Sequence, residues 1–157
     1  MTRGRGALVT GLAGVLVAVG AVAGCGRSVP FRPLEVGQCL PSSAEVVGRR
    51  EQQPPVVGCG TEHRYEVYAT PALPSGDAWP GQAAVDEAAK QLCYEQFEAG
   101  TGYHPLDLPD GVQELTIGPS ESGWTGVGDR RVECLVVLPE DRAGSFIRPG
   151  GTGSPSA

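Results

Sequence analysis

Four cysteines, Cys39, Cys59, Cys93 and Cys134, limit the folds open to this chain more than any other feature, because a fifth, Cys25, is set apart for a different chemistry. Cys25 closes the stretch Val22-Ala23-Gly24-Cys25, at the end of an apolar run from Ala7 to Ala23 that follows Arg3 and Arg5. A positive flank, a hydrophobic stretch and small residues before the cut are the grammar of an export signal. A cysteine directly after such a signal is the acceptor of a bacterial lipobox. It takes a diacylglycerol thioether on sulfur, the chain is cut before it, and the new N-terminus is acylated, as with palmitate. The competing reading is an uncleaved anchor, since the run approaches the ~20 residues that span a bilayer, but an anchor gives no reason for cysteine at that place. With Cys25 consumed by lipid, an even number of thiols remains in an exported chain, which reads as two disulfides. Four cysteines admit three pairings. Cys39 with Cys59 is favoured because it staples a short N-terminal loop, and Cys93 with Cys134 because it ties the clearest helix to the last strand.

Removal of residues 1–24 leaves 133 of the 157 residues, enough for one domain and too few for two. The segment removed carries two basic residues and no acid, so 12 basic against 18 acidic residues becomes 10 against 18, a net charge of −8. That charge argues against nucleic acid, whose binding needs clustered Lys and Arg, and against electrostatic docking on anionic lipid. Contact with the membrane would rest on the N-terminal lipid. The expected organisation is a signal peptide over 1–24, a tether over 25–34, a domain over 35–140 and a disordered tail over 141–157, the last from its Gly, Ser and Pro content.

Within the domain, Glu35 to Leu40 reads as a brief strand stopped by Pro41, Ser42 to Pro55 as an exposed polar excursion, and Val56 to Cys59 as a second short strand. From His63 to Thr70 the residues His63, Tyr65, Val67 and Ala69 alternate with Arg64, Glu66, Tyr68 and Thr70, the pattern of a half-buried strand. Pro71 to Gly81 is a loop whose Trp79 packs over the helix that follows. That helix, Gln82 to Ala99, places Val85, Ala89, Leu92 and Cys93 on one side with Phe97 at its edge, and Gly100 is its expected stop. Val112 to Ile117 alternates as a strand. Pro119-Ser120-Glu121-Ser122 has the form of a helix start that delivers Trp124 one turn later. Val132 to Leu138 closes the domain as a strand with Cys134, Val136 and Leu138 on one face. The fold class expected is α+β: a small, mostly antiparallel sheet with one main helix packed on it and two disulfides.

Residues that could carry chemistry are few. The chain lacks the G-x-S-x-G, H-E-x-x-H and P-loop patterns. His63, beside Glu62 and ahead of Tyr65, is the better base candidate; it also reads as a strand histidine bonded to a loop. His104 precedes Pro105 in a loop, and Asp107, Asp110 and Glu114 read as solvated acids. A metal site at Cys59, Glu62 and His63 is disfavoured by the absence of C-x-x-C or H-x-x-H spacing, and widely spaced thiols do not suit redox catalysis. No metal, cofactor or catalytic residue is therefore expected. The cluster singled out is Trp124, Asp129 and Arg130, with His63 as a neighbour. In its structural form Asp129 accepts from turn amides, Arg130 pairs with a carboxylate and Trp124 closes the core. In its binding form Trp124, Tyr68 and Tyr103 line an exposed concave face.

Gly37-Gln38-Cys39-Leu40, Val56-Val57-Gly58-Cys59-Gly60-Thr61-Glu62-His63, Glu66-Val67-Tyr68-Ala69, Pro80-Gly81 before a helix with Cys93, then Trp124, Gly128-Asp129-Arg130 and Cys134 occur in an order that resembles the septum formation family of actinobacterial envelope proteins. The resemblance covers about residues 35 to 140. That family usually reads Gly-Asp-Cys-Leu and Pro-His where this chain has Gln38 and Glu62. The resemblance implies an ectodomain at the outer face of the cytoplasmic membrane, with a part in cell division but no stated reaction. The expected activity is that of a lipid-anchored, non-catalytic interaction module whose partners are envelope or division proteins. The alternatives are a cell-wall hydrolase or transferase, and a carrier of a small hydrophobic ligand.

Overall fold

His63–Ala69 forms strand β2, an inner strand of a four-stranded antiparallel sheet. In the computed structural model, residues 1, 33–44, 46, 54–76 and 78–147 are described, so Cys25 and most of the expected signal peptide and tether lie outside them. In chain order the other elements are β1 (Cys39–Leu40), helix α1 (Gln82–Thr101), a 3₁₀ turn (Pro105–Asp107), β3 (Gln113–Ile117), α2 (Glu121–Val127) and β4 (Glu133–Arg142). The sheet order is β1-β2-β4-β3. The expected fold class is the one observed, down to both disulfides: Cys39 is bonded to Cys59 and Cys93 to Cys134, with Cα separations of 5.3 and 5.5 Å.

Helix α1 packs Val85, Ala89, Cys93 and Phe97 onto one face of the sheet, where they meet Tyr68, Cys134, Val136 and Leu138. The spacing of four residues brings those side chains to one stripe. A second, smaller core on the opposite face joins Val67 and Leu135 to Leu34, Leu40, Ala44 and Val46. Burial on two faces corrects the expected alternation of β2. Glu66 and Tyr68, placed outward by the pattern, are 1% and 2% exposed. Register shifts between His63 and Tyr65 and between Val67 and Ala69 break the phase of that strand against β4.

The boundaries differ from expectation at both ends. Leu34, assigned to the tether, and Ala44 and Val46, assigned to an exposed excursion, are buried because the N-terminal stretch roofs the second core. Val56 to Cys59 is no strand; Val57 makes one isolated bridge to Cys39. The expected tail begins too early, since β4 runs to Arg142 and Phe146 is buried, its ring stacked on Tyr103 at 4.7 Å. Residues 148–157 lie outside the described residues.

Gly100 is not the helix stop. The chain stays helical through Thr101, and Gly102, at φ 75°, is the left-handed cap whose amide bonds to the carbonyl of Glu98. Gly100 instead faces Tyr68, where an added Cβ would sit 2.7 Å from the Tyr68 carbonyl oxygen. The start of α2 is as expected, with the Ser120 hydroxyl accepting from the amide of Gly123 at 3.2 Å. Its helix places Trp124 in the main core.

Candidate functional site

Two polar clusters stand at opposite ends of β2. At its first residue, His63 is fully buried, with Nδ1 2.8 Å from the carbonyl oxygen of Thr61 and Nε2 2.9 Å from Oε1 of Glu66. Both ring nitrogens thus face acceptor oxygens, and which of them donates depends on the tautomer. Glu66 lies opposite Cys39 on β1 and Val136 on β4, so its carboxylate is held at the middle of the sheet. Besides His63 it accepts from the Ser145 hydroxyl at 2.7 Å and from the amides of Phe146 and Ile147. Burial pushes the Glu66 carboxyl up, but the Ser145 hydroxyl, the His63 ring and the two amides outweigh it and hold the group below its ordinary value. The segment after β4 is therefore latched to β2 through one carboxylate. Gly144 adds a bond from its amide to the carbonyl of Cys59 at 2.7 Å, joining the latch to the first disulfide.

Cys39, His63 and Glu66 bring one donor atom each within 4.8 Å of the others. The set does not suit a metal as it stands. The Cys39 sulfur is spent in the bridge to Cys59, so no thiolate is on offer, and both nitrogens of His63 are engaged. The grouping also differs from the metal reading weighed from sequence, which used Cys59 and Glu62 in place of Cys39 and Glu66.

Beyond the far end of β2, Ala72 bridges to Arg131, and the Leu73 amide donates to the carbonyl of Arg130 at 2.8 Å. Here Arg130 lies over Trp124, its guanidinium carbon 3.5 Å from the ring centroid, and Trp79 meets the same indole edge-on at 5.6 Å. Trp79 therefore packs on Trp124 of α2 within the main core. Among the described residues Arg130 donates to the carbonyls of Trp124, Asp129 and Gly76 rather than to the carboxylate expected. Asp129 takes its expected role: Oδ1 accepts from the amide of Arg131 at 3.0 Å. Trp124, Asp129 and Arg130 thus form one cluster, while His63 belongs to the other. Trp124 Nε1 and Arg130 Nε make no hydrogen bond among the described residues, where stacking and the carbonyl bonds hold the group together.

The aromatic binding face foreseen from sequence does not form around Trp124 and Tyr68, which are both buried. The Tyr68 hydroxyl reaches the carbonyl of Cys93 at 3.2 Å and Oε1 of Glu114. Burial first, and then the Glu114 carboxylate, push the phenol far above its ordinary value. Tyr103 is half-buried against Phe146, and His104 is exposed, its Nδ1 accepting from the amide of Leu106. Sequence reasoning missed Glu66 as the centre of a buried site; the available signal was an acid set between Tyr65 and the apolar-aromatic end of the strand, Val67-Tyr68-Ala69. It also missed Ser145 and Phe146, hidden in a Gly- and Ser-rich stretch.

A family model described as septum formation matches residues 36–152, about three quarters of the chain. The chain belongs to the septum formation family. Its match spans both polar clusters, all four bridged cysteines and the segment that latches onto Glu66. No curated protein and no solved structure matched the chain. Membership of the septum formation family associates the chain with cell division or the cell envelope. Among the described residues, no helix is long and apolar enough to cross a membrane. Gln38, where septum formation proteins usually carry Asp, accepts the amide of Glu35 on its Oε1 at 3.1 Å in the turn before β1. Glu62, in the place of the family's Pro, is exposed, and its neighbour Thr61 provides the carbonyl that holds His63.

Proposed function

We propose that the chain is a lipid-anchored domain on the outer face of the cytoplasmic membrane that acts without catalysis, as an interaction module in envelope or septum formation. The observation that carries this reading is the commitment of His63. The best base in the sequence is closed to solvent, with both nitrogens occupied by groups that hold the chain together. A general base needs reach to a substrate proton, and His63 has its reach turned inward. The four thiols that remain after Cys25 are joined in pairs, which removes them as nucleophiles. The lipid at Cys25 is argued from the signal-like residues that precede it. Leu34, the first residue of the core, follows Cys25 by nine positions, which at full extension reach about 30 Å. Such a tether keeps the domain near the bilayer surface.

Two experiments test the reading. Photocrosslinking in living cells from the surface of the domain, followed by mass spectrometry, should capture division or envelope proteins; their absence would turn attention to a cell-wall hydrolase or transferase. Metabolic labelling with an alkyne fatty acid should mark the wild-type chain. Cys25→Ala should abolish the label and leave an uncleaved precursor, and normal processing of that variant would overturn the anchor.

A further inference from the structure

We propose that the outer edge of β3, together with the groove between it and α1, binds an extended segment of a partner protein that adds to the sheet as a further strand and carries a basic residue. This rests on the interaction-module reading and names the surface involved.

The two edges of the sheet are not alike. At β1 only two residues pair, and the outer side is closed by Val57, whose amide donates to the Cys39 carbonyl at 2.8 Å. At β3 five residues, Gln113 to Ile117, run in unbroken register with β4, and among the described residues no strand lies on their other side. An edge strand leaves alternate amides and carbonyls unpaired, and natural proteins guard such edges with lysine, proline or a bulge. Gln113 to Ile117 contains no Lys and no Pro, and its pairing shows no bulge. Its one charge, Glu114, is drawn into the groove, where it takes the hydroxyl of buried Tyr68.

Beside this edge lies a groove of about 530 Å³. Its floor is Glu114, Leu115 and Thr116, and its wall is Glu87, Lys90, Gln91 and Tyr94. The wall residues follow at intervals of three and four along α1, so they form one stripe. Tyr94 is 49% exposed, an aromatic presented to solvent next to open backbone. Strand addition draws affinity from main-chain hydrogen bonds and specificity from the pockets for alternate side chains. The groove offers one apolar contact at Tyr94, since Leu115 turns to the second core, and two carboxylates, Glu87 and Glu114, against Lys90. A segment with an apolar residue and a Lys or Arg two positions apart complements it. A second copy of this chain, with a formal net charge of −6, brings further negative charge to the same place.

The test is a selection of random dodecapeptides displayed on phage against the full chain purified in detergent, followed by calorimetry on the enriched peptides. The enriched sequences should alternate apolar with polar residues and include Lys or Arg. Tyr94→Ala and Glu87→Lys, both at exposed helix positions, should each weaken binding about tenfold or more. Methylation of alternate peptide amides should abolish binding, and the β3 amides should exchange more slowly in the complex. No enrichment, or binding indifferent to both variants and to amide methylation, overturns the proposal. So does a dimer whose dissociation restores exchange at β3, which would give the edge to a second copy. If envelope partners are crosslinked through other surfaces while these peptide effects fail, the interaction-module reading stands and this surface is excluded.

Discussion

Nε2 of His63 lies 2.9 Å from Oε1 of Glu66, three residues along one strand, and neither side chain reaches solvent. Removing one partner of a buried hydrogen bond leaves the other group short of a partner, at a cost of about 1–3 kcal/mol. His63→Ala should therefore lower the unfolding free energy by roughly that amount, read from urea denaturation, with a clear fall in melting temperature. An unchanged melting temperature would release His63 from its structural role and return it to the list of candidate bases.

The acid limb of stability should depend on Glu66. Its carboxyl is held below its ordinary value of 4.5 in the folded state. A depressed folded pKa contributes stability that is present above the unfolded pKa and is lost as pH falls through the folded one. Urea midpoints should thus fall as pH drops below about 4.5, and Glu66→Gln should flatten that fall. A parallel decline in the variant would assign acid sensitivity to other carboxylates.

The two disulfides should differ in their response to reductant. Cys93 and Cys134 are both closed to solvent, whereas Cys59 is half-buried and places its bond near the surface. Under limited phosphine treatment, peptide mapping should find Cys39 and Cys59 alkylated before Cys93 and Cys134. Each bridge closes a loop of 20 or 41 residues, for which loop entropy predicts about 3–4 kcal/mol. Opening the 93–134 bridge first would mean that α1 separates from the sheet more readily than the N-terminal loop opens.

Gly100→Ala should destabilise the fold although alanine favours helices. The new methyl would meet the Tyr68 carbonyl oxygen at 2.7 Å and its ring carbon at 2.9 Å. Overpacking of this kind costs about 1–3 kcal/mol, against a gain of up to about 1 kcal/mol from propensity. Thermal unfolding of the variant decides the sign.

The legible parts of this fold were those where local chemistry and tertiary role agree. The stripe Val85, Ala89 and Cys93 marks α1, Ser120 caps α2, and the favoured cysteine pairing is the observed one. The obscure parts are those where a residue's setting comes from distant chain. Glu66 and Tyr68 look like the wet face of a half-buried strand, but β2 is an inner strand with a core on each face, and two-sided burial erases alternation. Ser145 and Phe146 look like tail by composition. Their order comes from Glu66, some eighty residues earlier, which no local pattern can announce.

Cys39 is joined to Cys59 and Cys93 to Cys134, so the four cysteines after Cys25 pair first with second and third with fourth. A chain emerging N-terminus first presents the first pair complete while Cys134 has yet to appear. An oxidant that joins thiols in their order of arrival then makes only native bonds, and no shuffling enzyme is required to correct them. Cys25 is the hazard in that scheme, a thiol that arrives ahead of the others and would put every later pairing out of step. Its capture by lipid would secure the order of oxidation as well as the address of the protein.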